Sequence, residues 1–129
     1  MLIVKPILDK TIQKELGDIC NAKYDPDFLA FSAYEEDKFV GFCQFSVSGT
    51  VATAQDFRSI PGLNDFEAMF IMSRGALNYM ELCGFKIAKC TESAADPVLI
   101  RSIGFKKVDE IWYEMDLPNE FTGKCSNCK

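Results

Sequence analysis

The sequence predicts an α+β domain: a central mixed, mostly antiparallel sheet with helices on both faces. Three observations carry this. Residues 2–7 and three segments between 28 and 57 are β-rich runs, the last three joined by short polar turns, as in antiparallel hairpins. A long amphipathic helix runs from the Pro61-Gly62 break to Gly84. A strand, a shorter helix and two closing strands follow it. The order β-α-β-β-β-α-β-α-β-β combines hairpins with helical crossovers, which requires helices on both sides of one sheet.

Each element has a local reason. Residues 2–7 open the sheet, and Asp9 can cap a helix reaching about Cys20, with Ile12, Leu16 and Ile19 on one apolar face. Tyr24-Asp25-Pro26-Asp27 reads as a loop. Residues 28–34 form a strand with Leu29, Phe31 and Ala33 on one side. Glu35-Glu36-Asp37-Lys38 turns into a strand over 39–47, and Ser48-Gly49 turns again into 50–57.

In the long helix, Asn64 is placed to cap and Glu67 to complete a capping box. Phe66, Met69, Phe70, Met72, Ala76, Leu77, Met80 and Cys83 make a wide apolar face. Glu67, Arg74, Asn78 and Glu81 make a polar stripe, and Gly84 offers the left-handed stop. Residues 85–91 read as a strand and 92–95 as a loop. Asp96-Pro97 starts a short helix through Val98, Leu99, Ile100 and Ile103, ended by Gly104. Residues 105–108 and 111–117 give a hairpin or one bent strand, and Pro118 ends ordered structure. One domain over 1–117 and a polar tail over 118–129 are expected.

Composition narrows the function. At 129 residues and 48% apolar, the chain holds a single globular core. No apolar run approaches a membrane span and no signal peptide is evident, so a cytoplasmic protein is expected. The net charge of −5 opposes nucleic-acid binding and better suits a small-molecule or peptide amine, although a solvated acidic surface explains it first. With no histidine, any general base is a carboxylate, Cys, Lys or water. Cys20, Cys43, Cys83 and Cys90 lie in apolar patterns and read as small core residues. Cys125-Ser-Asn-Cys128 reads first as a reduced tail. Half of a zinc site and a redox pair are the lesser alternatives, so no metal is expected.

Three segments carry a resemblance: Tyr34 through Gly49 with its acidic turn and Val40-Gly41-Phe42, the Pro61 loop and helix ending Cys83-Gly84-Phe85, and Ser102-Ile103-Gly104-Phe105. In this order they resemble the GCN5-related N-acetyltransferase (GNAT) superfamily over residues 2–117. The chain looks like a divergent, short bacterial-type member with a Cys-x-x-Cys tail. The resemblance implies transfer of an acyl group from acetyl-CoA to an amine. The alternative is a non-catalytic ligand- or partner-binding module on the same fold. Superfamily members often dimerise, and nothing in this chain requires it.

The resemblance also places candidate residues. Acetyl-CoA would lie along Phe57, Arg58, Ser59 and Ile60 and meet the helix start at Phe66, Glu67 and Ala68. Asp56 and Glu92 are the candidate bases, with solvated strand-end carboxylates as the plainer reading. The superfamily's phosphate loop, Gln/Arg-x-x-Gly-x-Gly/Ala, falls on Leu63-Asn64-Asp65-Phe66-Glu67-Ala68, where only Ala68 agrees. Asp65 and Glu67 set negative charge where a diphosphate would sit, with Arg58 and Lys86 the nearest cations to offset it. The position of the superfamily's proton-donating Tyr holds Ile100.

Overall fold

The computed structural model describes residues 1–123. Its strands are β1 (Leu2–Ile7), β2 (Leu29–Glu35), β3 (Lys38–Ser48), β4 (Val51–Ser59), β5 (Ile87–Cys90), β6 (Lys106–Lys107) and β7 (Tyr113–Asp116). Helices α1 (Lys10–Ile19), α2 (Phe66–Leu82) and α3 (Pro97–Ile103) intervene in the expected order. The sheet runs β1-β2-β3-β4-β5-β7-β6, and every pairing is antiparallel except β4 with β5. The α2 crossover makes that parallel pair, since strands joined by a helix can return in the same direction.

Strand alternation divides the apolar residues between two faces. Phe31, Cys43, Phe45, Ala52, Ala54 and Ala88 turn to the side that carries α2 and α3. There they meet Met69, Met72, Ala76, Leu77 and Met80, and then Leu99, Ile100 and Ile103. A smaller cluster of Ile7, Cys20, Ala22, Ala30 and Phe42 lies on the opposite face, under α1. Contact between α2 and β3 is close at Gly41, where an added Cβ would sit 2.7 Å from the Met72 sulfur. Leu82 ends α2, and Gly84 at φ 103° takes the left-handed turn expected of it.

Several local expectations need correction. On α1 the buried residues are Gln13 and Gly17, followed by Cys20 at the C-cap, while Ile12 and Ile19 are exposed. Gln13 meets Gln44 and Gly17 lets the helix approach the Phe42 ring, so of the expected stripe only Leu16 packs against the sheet while the two isoleucines face outward. On α2, Phe66 and Cys83 are exposed at the two ends, and Ser73 is buried with its hydroxyl on the Met69 carbonyl. Asp65, not Asn64, caps α2. The chain also keeps its order past Pro118. Residues Asn119–Gly123 form a π-helical turn in which Glu120 pairs with Arg74 at 3.2 Å and the Arg74 guanidinium lies over Phe121. Cys125 and Cys128 lie outside the described residues.

Candidate functional site

The β3–β4 register slips by one residue. Gln44 faces Asp56 and Phe45 faces Ala54, so Gln55 is an extra residue in β4. Without that bulge Ala52, Ala54 and Asp56 would all point toward α2. With it, Asp56 turns to the α1 face and Phe57 enters the main core. One inserted residue thus moves a carboxylate from an apolar core to a polar site.

On the α1 face Asp56 ends a chain of side-chain hydrogen bonds. Gln13 Nε2 donates to Gln44 Oε1 at 3.1 Å, and Gln44 Nε2 donates to Asp56 Oδ2 at 2.9 Å. Arg58 Nε donates to Asp56 Oδ1 at 2.7 Å. Lys10 Nζ donates to the side-chain oxygen Oε1 of Gln13, and Gln44 Nε2 also donates to the Lys23 backbone carbonyl. Gln13, Gln44 and Asp56 are all buried, and each has partners, as buried polar groups require. The network ties α1 and the following loop to β3 and β4, and it fixes both oxygens of Asp56.

A cavity of about 290 Å³ opens beside this network. Asp56 and Arg58 form one wall with Gln55. Lys23, Asp25 and Phe28 line it from the loop before β2, and Ser93 from the loop after β5. The cavity therefore carries two carboxylates, two cations and one aromatic wall. Cys20, buried nearby under α1, has its thiol pushed up to about 11 by burial, with Arg58 lowering it and Asp56 raising it.

The other face at the same end of the sheet has different chemistry. Asp65 Oδ1 accepts the Ala68 amide at 3.0 Å, and the Asp65 carbonyl accepts the Met69 amide. Asp96 caps α3 in the same way through Val98. Between these two helix starts lies a cleft of about 480 Å³, lined by Phe66, Met69, Val98 and Leu99 with Asn64, Asp65 and Asp96. The strand divergence nearby is bridged. Although β4 and β5 pair only from Val51 to Thr53, the Phe57 amide beyond that point donates to the Ala94 carbonyl at 2.9 Å. The Ile60 amide donates to Val40, and Ser59 Oγ donates to the Ile60 carbonyl.

The two candidate bases have different partners. Asp56 lines the cavity. Glu92 instead accepts the Tyr113 hydroxyl at 3.0 Å and lies 3.9 Å from Lys107. Burial and the Glu92 bond raise the Tyr113 phenol above its ordinary value. Arg58 points to Asp56, and Lys86 stands at the start of β5, at the far end of α2, so neither cation meets the α2 start. Ile100 is wholly buried in the core. Sequence reasoning missed Gln13, Gln44, Lys23, Asp25, Phe28 and Ser93. Gln44 did leave a signal: an amide in the middle of the apolar run Val40-Gly-Phe-Cys-Gln-Phe.

No family model matches the sequence, and no curated protein matches it. Solved structures do. The ribosomal-protein-S18-alanine N-acetyltransferase from Escherichia coli superposes with a TM-score of 0.72 at 14% identity, covering 91% of this chain and 94% of that one. An aminoglycoside 6'-acetyltransferase type Ii gives 0.70 at 13% identity, covering 89% and 97%. PaiA N-acetyltransferase from Thermoplasma acidophilum, in complex with coenzyme A, gives 0.68 at 12%, covering 90% and 99%.

The chain has the GNAT fold. The resemblance implies a grip on acetyl-CoA at the α2 start and the strand divergence, and the residues here do not suit that group. The Asp65 carboxylate already occupies the α2 N-terminus, Asp96 adds a second negative charge to the cleft, and Ala94 holds the Phe57 amide. Among the described residues, none of the groups lining that cleft is a cation. A diphosphate would meet two carboxylates there.

Proposed function

We propose that this chain is a ligand-binding module of the GNAT fold, which receives a small amine in the cavity beside Asp56. The observation that carries the reading is the contrast at the end of β4. On the α1 side a buried network presents a carboxylate to a cavity, and on the α2 side carboxylates stand where a phosphate-bearing cofactor would approach. An ammonium would meet the free lone pairs of Asp56 and the Asp25 carboxylate, with Gln44 and Arg58 keeping Asp56 in place. The amine belongs to a small molecule or a peptide end. The acidic balance of the chain supports this partner over nucleic acid.

Acyl transfer from acetyl-CoA to an amine is the second reading. Its support is the fold shared with N-acetyltransferases, one of them solved with coenzyme A. Fold alone does not fix activity.

Thermal unfolding with added ligand tests the pair. A ligand at 100 times its dissociation constant adds about 2.7 kcal/mol of stability. A primary amine is expected to raise the unfolding midpoint, Asp56→Asn to remove that rise, and millimolar acetyl-CoA to leave the midpoint unchanged. A rise with acetyl-CoA would replace the first reading by the second.

A further inference from the structure

The cavity holds more than a place for an amine. We infer that its ligand is a zwitterion, a free α-amino acid with an apolar side chain, whose carboxylate is held by Arg58 and Lys23. This inference rests on the amine-binding reading and specifies its ligand.

The charges support it. Asp56 and Asp25 supply two anions, while Arg58 and Lys23 supply two cations to the lining of the same cavity. A simple cation would be attracted by one pair and repelled by the other. A molecule bearing both charges about one carbon apart satisfies both. Arg58 uses Nε on Asp56, and its two terminal nitrogens have no hydrogen-bond partner among the described residues. These paired N–H groups match the geometry of a carboxylate. The Lys23 ammonium likewise has no partner among the described residues, and its stem leaves the loop beside the cavity.

The remaining lining fits the rest of an amino acid. Half-buried Phe28 gives an apolar wall for the side chain. Gln55 uses its Nε2 on Ser46 Oγ, which leaves its carbonyl oxygen to accept from the ammonium. The volume of about 290 Å³ sits at the small end of ligand pockets, about 300–1,000 Å³. A nucleotide or a long peptide would exceed it.

Titration calorimetry with four probes decides the matter: L-leucine, leucinamide, N-acetyl-L-leucine and isoamylamine. Leucine is expected to bind about tenfold or more tighter than leucinamide, which keeps the ammonium and loses the carboxylate. N-acetyl-leucine, without the ammonium, is expected to bind more weakly still. Lys23→Met is expected to weaken leucine several-fold and leave leucinamide unchanged. Lys23 is exposed and only its backbone carbonyl serves the network, so the fold is retained. Equal affinity for leucine, leucinamide and isoamylamine overturns the zwitterion and leaves the amine reading standing. Binding of N-acetyl-leucine as tight as leucine, or no binding by any probe, overturns both.

Discussion

The two faces of the sheet meet at the last turn of β4, and their chemistry there is opposite. Toward α1, two buried amides in series, Gln13 and Gln44, hold the Asp56 carboxylate, which also pairs with Arg58 and lines a cavity. Toward α2, the polar groups are spent on the chain itself: Asp65 on the Ala68 amide, Asp96 on the Val98 amide, Ala94 on the Phe57 amide. The difference teaches that a scaffold can keep one half of its cleft ready for a ligand while the other half becomes ordinary helix capping. A single strand bulge separates the two, since it decides which face receives Asp56.

The largest test of that contrast is Gln44→Leu. The substitution removes the bridge between Gln13 and Asp56, taking the amide donor from Asp56 Oδ2 and from the Lys23 carbonyl and putting an apolar side chain among polar ones. A loss of about 3 kcal/mol in urea unfolding is expected. A loss below about 1 kcal/mol would show that the network is not a structural support.

Asp65→Ala probes the other face. Losing a helix cap costs about 0.5–2 kcal/mol, so stability is expected to fall by about 1 kcal/mol. The same change removes negative charge from the α2 start. Any trace affinity for coenzyme A is therefore expected to rise, as read by the shift of the unfolding midpoint with and without the cofactor.

Alkaline pH sharpens the comparison on the α1 side. Burial holds the Cys20 thiol near 11 against an ordinary 9.0, so the folded chain keeps a proton that the unfolded chain releases in between. Its contribution is complete below pH 9 and is lost as pH rises through 11. Cys90, pushed up to about 12, and the more strongly raised Cys43 act in the same direction from the α2 side. Urea stability measured between pH 8 and 11 is expected to fall, and Cys20→Ala to flatten part of that fall. An unchanged slope in the variant would place the sensitivity in the other raised groups, Cys43, Cys90 and Tyr113.

The smallest effect is expected at Ile12→Ser. Ile12 faces outward on α1, so the change should alter stability by less than about 0.5 kcal/mol. A cost of a buried isoleucine, about 2–5 kcal/mol, would restore the inward stripe that periodicity suggested.

Most of the fold was legible because its signals are local. Gly84, the Asp96-Pro97 helix start and the hairpin turns at 35–38 and 48–49 each act within a few residues, and all fall where expected. The α1 face was not legible, because periodicity marks an apolar stripe without saying which side the sheet lies on. Ile12 and Ile19 made the clearer stripe, and the burial of Gln13 depended on Gln44, 31 residues away. The cavity was half legible. Asp56 could be picked out as a carboxylate near a strand end, but the bulge at Gln55 is a matter of register between two strands. Its partners Lys23, Asp25 and Phe28 lie in a loop whose residues carry no local mark of what they face. Asn64 and Asp65 compete for one cap, and sequence offers nothing to separate neighbours that are both good acceptors.

Backbone amide NMR during a titration with acetyl-CoA tests the central contrast most directly. The amides of Phe57, Phe66, Glu67 and Ala68 report the face toward α2, and those of Gln55, Asp56 and Arg58 report the cavity. The account predicts that the first group stays unshifted up to millimolar acetyl-CoA, while leucine moves the second group in a saturable way. Saturable shifts of Phe57 and Phe66 through Ala68 with acetyl-CoA would contradict it.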